Sequence, residues 1–246
     1  MEDANYQFNN ASLLPKQPRE PFLNIPLTII IVIVFCFCIY CVTQYFFSDE
    51  LYIESLDFFS FTPVLFKAAP LAFSHTIMSY SFIHGSFEHT AINMVWLLVF
   101  GSPLVRHFGS LRFLVFWVLT AAISALTYFA FHQNSIASLV GASGAVSGMM
   151  GAIARYGFSP VHFCVNTQNG RFFGPLWSVK KTLCSKTVLV YVCVWLMINF
   201  IIGIFSSLFE RDDISIAWEA HIGGLISGFL LVGFFDVSRG KIKITL

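Results

Sequence analysis

Six apolar stretches divide the chain: Pro26 to Phe47, Phe87 to Val105, Leu111 to Phe131, Ser143 to Tyr156, Val188 to Ser206 and Ile216 to Phe235. A membrane-crossing helix needs about 20 predominantly apolar residues, and five of the six approach that length. Pro26 suits the first turn of its helix, where a missing N–H is harmless. The fourth stretch is short. Its 14 residues make roughly 21 Å of helix against a hydrocarbon core of about 30 Å. With Arg155 at one interface, Ser143 falls roughly 10 Å beneath the other. A short helix entered by a loop is tolerated only where protein encloses it or where it lines a wet cavity. The expected fold is all-α, a polytopic membrane protein with a six-helix bundle over residues 26–236.

The segments between are polar or mixed. Residues 1–25 carry Pro15, Pro18, Pro21 and both signs of charge, and read as a flexible tail; residues 237–246 read as a second, short one. The first apolar run is too long and too far in for a cleaved secretory signal, and the tail is not the Arg-rich, acid-poor leader of mitochondrial import. Ser48 to Ser86 mixes Phe58, Phe59, Phe61, Phe66 and Phe73 with four carboxylates, as an amphipathic surface loop does. Gly157 to Thr187 shows no motif.

Charge then sets the orientation. Lys and Arg number 14 in all, and a six-span layout puts only Lys67 and Arg211 on one side. The positive-inside bias places both termini in the cytoplasm. A hydrophobic fraction of 57% with 11% charged residues and a mean hydropathy of +0.74 lie outside soluble usage. A net charge of +1 argues against a nucleic-acid partner. The six cysteines show no metal-ligand spacing with histidine, and three sit in the first apolar run; neither metal nor cofactor is expected.

Polar residues inside apolar segments are costly and often functional. Ser143 stands in Gly141-Ala142-Ser143-Gly144, and Gly144, Gly148 and Gly151 recur on one helix face. Ala220, Gly224 and Gly228 repeat a small-x3-small pattern on the last stretch. Packing the two stripes together puts His221 near Ser143; packing alone is the alternative reason for the small residues. His89 and Asn93, four apart, share a face and can converge as hydrogen-bond donors, whereas His84 lies about 180° from Asn93 and holds the first loop or the helix entry. Glu219 is about 200° round the helix from His221, so a serine–histidine pair without a carboxylate is expected. His75, His107, His132 and His162 match no motif and read as surface residues.

His84-x4-His89-x3-Asn93, Gly141-x-Ser143-Gly144 and Ala220-His221-x2-Gly224-x3-Gly228, in that order on separate apolar segments, resemble the rhomboid intramembrane serine proteases. The resemblance implies a Ser143–His221 dyad, with His89, Asn93 and the Ser143 N–H as oxyanion hole. His84, Gly141, Gly144, Gly224 and Gly228 fall to structural motif positions. It implies cleavage of transmembrane segments of other proteins in the lipid bilayer, with the site open to the extracytoplasmic side. The six-span layout suggests a bacterial inner membrane. Two positions depart from the family pattern: His75-Thr76 stand where many rhomboids have Trp-Arg, and Ser147 where many have an aromatic that stacks on the histidine. A catalytically silent, helix-binding relative is therefore the alternative. A transporter is disfavoured by the absence of an inverted repeat.

Overall fold

A computed structural model describes residues 25–158, 175–208 and 217–236; His162, residues 1–24 and residues 237–246 lie outside them. The elements are α1 (Leu27–Tyr45), α2 (Asp49–Phe59), α3 (Pro63–Ala68), α4 (Thr76–Ser79), α5 (Phe87–Phe108), α6 (Ser110–Phe131), α7 (Ser143–Ala154), α8 (Val179–Leu183), α9 (Lys186–Leu208) and α10 (Trp218–Phe235). Among the described residues there is no strand, only a single bridge between Phe61 and Leu139. Helices α1, α5, α6 and α10 are long and apolar enough to cross a membrane, at 19, 22, 22 and 18 residues. Shorter apolar stretches are α7 and the Lys186–Asn199 part of α9. Six apolar helices are consistent with the expected count. The outward side chains of α1, among them Ile31, Val34 and Phe35, are exposed aliphatics and aromatics, as a lipid-facing surface requires.

The protein is built around α7. Eleven of its twelve residues are buried, Ser143 being the exception. It lies between α6 and α10, and glycine makes the approach possible. A Cβ on Gly224 would meet the Gly144 carbonyl, one on Gly228 the Gly148 carbonyl, and one on Gly151 the Leu225 carbonyl. The two small-residue stripes therefore pack backbone to backbone. One refinement follows. Gly144 and Gly148 turn their Cα hydrogens toward Ser124 and Thr120 of α6, while Gly151 turns its own toward α10. A helix wedged between two neighbours divides its small residues between them.

The first loop carries a surface helix, α2, with no buried residue, and is pinned to the rest of the protein beyond it. Phe61 is fully buried, and its N–H and C=O pair with Leu139 at 3.1 and 2.9 Å. Thr62 shares a 2.8 Å hydroxyl contact with Ser138, and Lys67 donates to Asn134 at 2.8 Å. His75 holds this loop without the expected Trp-Arg: its Nε2 lies 2.6 Å from the Phe58 carbonyl, and its ring packs 4.7 Å from that of Phe58.

Three charged or titratable residues have partners that the sequence did not reveal, and two of them, His107 and Arg155, are enclosed by protein. His107 is buried and pairs with buried Asp236 at 2.9 Å. His132 pairs with Glu219 at 2.8 Å. Arg155, 6% exposed, donates through Nε and Nη2 to the Trp177 carbonyl at 3.0 and 2.8 Å, and through Nη1 to the Phe229 carbonyl at 3.0 Å. The Phe229 ring lies 5.1 Å from its guanidinium. A buried guanidinium needs such a set of acceptors, because desolvation is costly unless its donors are used.

Candidate active site

Ser143 is the first residue of α7, preceded by a turn that only glycine accommodates. Gly141 has φ +107°, a region L side chains rarely adopt, and a Cβ there would lie 2.6 Å from His89 Nε2 and 3.7 Å from Asn93 Nδ2. The turn is held at both N–H groups. Gly141 donates to the Tyr80 carbonyl at 3.0 Å, and Ala142 donates to His84 Nε2 at 3.3 Å. His84 thus braces the turn before Ser143 rather than the first loop. Accepting that bond requires a neutral imidazole. Burial pushes the His84 pKa down to about 3, the neighbouring His89 adds to this, and the Phe82 carbonyl works the other way.

From α5 come His89 and Asn93. Ser86 caps this helix, its hydroxyl accepting the His89 N–H at 3.1 Å, which sets the turn from which the imidazole projects. The Asn93 amide donates one N–H to the His89 carbonyl at 2.9 Å and has a second left. Both side chains point at Gly141, beside the Ser143 N–H. That N–H opens α7 and has no acceptor within its own helix.

His221 comes from the end of the first turn of α10. Its Nε2 lies 2.7 Å from Ser143 Oγ, across 78 residues of sequence. Its Nδ1 has no hydrogen-bond partner among the described residues. Glu219 is turned away to His132. Ser147, where an aromatic is expected by resemblance, donates to the Ser143 carbonyl at 2.6 Å. The aromatic beside the imidazole is Trp195 of α9, at 6.2 Å and 58°, a residue that sequence spacing did not single out.

An integral membrane protein of packed helices, with a serine at the start of a buried helix hydrogen-bonded to a histidine on the adjacently packed α10, is the class this geometry defines. A Rhomboid domain matches residues 74–237. The chain belongs to the rhomboid family. It is 29% identical over 150 residues to RHOMBOID-like protein 6, mitochondrial, of Arabidopsis thaliana, covering 61% of this chain and 39% of that one. It is 26% identical over 163 residues to the rhomboid protease GlpG of Klebsiella pneumoniae, covering 66% and 49%. Against GlpG of Haemophilus influenzae it is 26% identical over 166 residues, covering 67% and 70%. The chain thus spans less than half the length of the Arabidopsis and Klebsiella relatives.

Proposed function

We propose that this protein is an intramembrane serine endopeptidase that cleaves transmembrane segments of other membrane proteins. The 2.7 Å contact between His221 Nε2 and Ser143 Oγ carries the reading. In it, Ser143 Oγ attacks the scissile carbonyl carbon while His221 Nε2 takes its proton. The carbonyl electron pair moves to oxygen, and the tetrahedral anion is received by the Ser143 N–H, His89 and the free N–H of Asn93. Collapse expels the amine, which takes the proton from His221. A water activated by the same histidine then hydrolyses the acyl-serine.

A helical peptide bond is shielded by its own backbone, so substrates unwind locally, and segments with small or helix-breaking residues are favoured. The protease unit is residues 26–236, flanked by the 1–25 and 237–246 tails. Both termini face the cytoplasm and the site opens to the extracytoplasmic side of a bacterial inner membrane, a placement supported by the Lys and Arg distribution. The test is a fluorophosphonate probe, which reacts with activated serines. Labelling of the parent that is lost in Ser143→Ala and falls by at least about 100-fold in His221→Ala is expected. A folded parent that takes no label would favour a silent helix-binding relative, with Ser147 the first position to examine.

A further inference from the structure

His221 stands on the weakest part of its helix. Helix α10 begins at Trp218 with Ala217 before it, and no side chain among the described residues caps it. The N–H of His221 reaches the Ala217 carbonyl at a long 3.3 Å, so the first turn has little holding it from within. Behind the ring, Nδ1 meets no carboxylate among the described residues, and Trp195 touches it only at 6.2 Å. The geometry at Ser143 therefore has to be fixed from the far side of the turn.

That side is pinned to α6 twice. Ser124 donates to the Ala220 carbonyl at 2.7 Å. One residue earlier, His132 Nε2 lies 2.8 Å from Glu219 Oε1, joining positions 87 residues apart. His132 caps the C-terminal end of α6, and its ring rests on Tyr128 at 4.7 Å and 36°. Imidazole at a helix C-terminus and carboxylate at a helix N-terminus each sit at the end their charge favours. An ionised carboxylate only accepts, so the contact is made by an Nε2–H donating to it. With side chains 38% and 11% exposed, the pair is too wet to add much stability. Its effect is geometric.

We propose that the His132–Glu219 pair is a positioning clamp that holds the first turn of α10 so that His221 meets Ser143. The proposal rests on reading Ser143 and His221 as the working pair, and it adds the element that substitutes for an orienting carboxylate. A displacement of 1 Å in such a site costs about 100-fold in rate.

The test uses the full chain in lipid nanodiscs with His132→Ala, Glu219→Ala, Glu219→Gln and the double alanine variant. Two readouts are taken: the fluorophosphonate labelling rate, and the ¹⁵N resonance of the His221 imidazole, identified by its loss in His221→Gln. Each single alanine variant is expected to label about tenfold or more slowly, with parental thermal unfolding and an unchanged final extent of labelling. The double variant is no slower than either single one, because both remove the same contact. Glu219→Gln keeps an acceptor oxygen and labels at close to the parental rate. The His221 Nε2 resonance in His132→Ala moves toward its position in Ser143→Ala. Additive losses in the double variant, or a His221 resonance unmoved in both single variants, would overturn the clamp. Should the parent take no label, the protease reading fails and the resonance still decides the clamp.

Discussion

His84 shows how one side chain links burial, backbone and pH. Its Nε2 accepts the Ala142 N–H next to Ser143, and burial holds its pKa near 3 against about 6.5 in an unfolded chain. Between those values the unfolded chain binds the extra proton, so this contribution to stability is complete above about pH 6.5 and is lost as pH falls toward 3. Stability is expected to fall with acidification across that window by on the order of a few kcal/mol at most, and the unfolding temperature falls with it. His84→Gln still offers an acceptor to Ala142 and has no such titration, so its profile should be flatter. Equal slopes for parent and variant in thermal unfolding from pH 7 to 4 would contradict the assignment.

At the scale of elements, the α7–α10 contact decides whether the site exists. Gly224 and Gly228 sit against the carbonyls of Gly144 and Gly148, where backbone cannot yield as a flexible side chain can. Gly228→Leu should force the helices apart and cost about 1–3 kcal/mol or more. It should also abolish labelling at Ser143, although residue 228 lies two turns from His221. Parental stability and labelling in this variant would mean that the helices pack differently. This contact was legible in the sequence because a repeat of small residues every four positions is a local pattern with one packing consequence. The same holds for His89 and Asn93, four apart on one face. The His107–Asp236 pair spans 129 residues, and the two carbonyls that Arg155 reaches lie 22 and 74 residues away. No local period encodes such partners, so His107 reads as a surface residue and Arg155 as an interface one. Trp195 was illegible for the same reason: one aromatic in an apolar helix carries no sign of which helix it faces.

For the whole molecule, the arrangement solves a problem of solvent. A hydrolase within a bilayer needs polar groups at membrane depth, and these are tolerated only when enclosed by protein. Helix α7 meets the condition by being buried along all but its first residue, with Ser143 at the end where the loop enters. The first loop is tied to the segment that leads into Ser143, by Phe61 at Leu139 and by the Tyr80 carbonyl at Gly141. Where the chain departs from the family pattern, His75 reaches the Phe58 carbonyl, and Trp195 lies 6.2 Å from the His221 ring. Peptide-bond cleavage at Ser143, with His221 Nε2 2.7 Å from its Oγ, is the step that decides the reading. The most direct measurement reconstitutes the full chain in liposomes with a single-span substrate and reads the products by mass spectrometry, beside Ser143→Ala. Two fragments that meet within the substrate's membrane segment, formed by the parent and absent with the variant, are expected. An intact substrate bound by a folded parent, or equal cleavage by Ser143→Ala, would contradict the account.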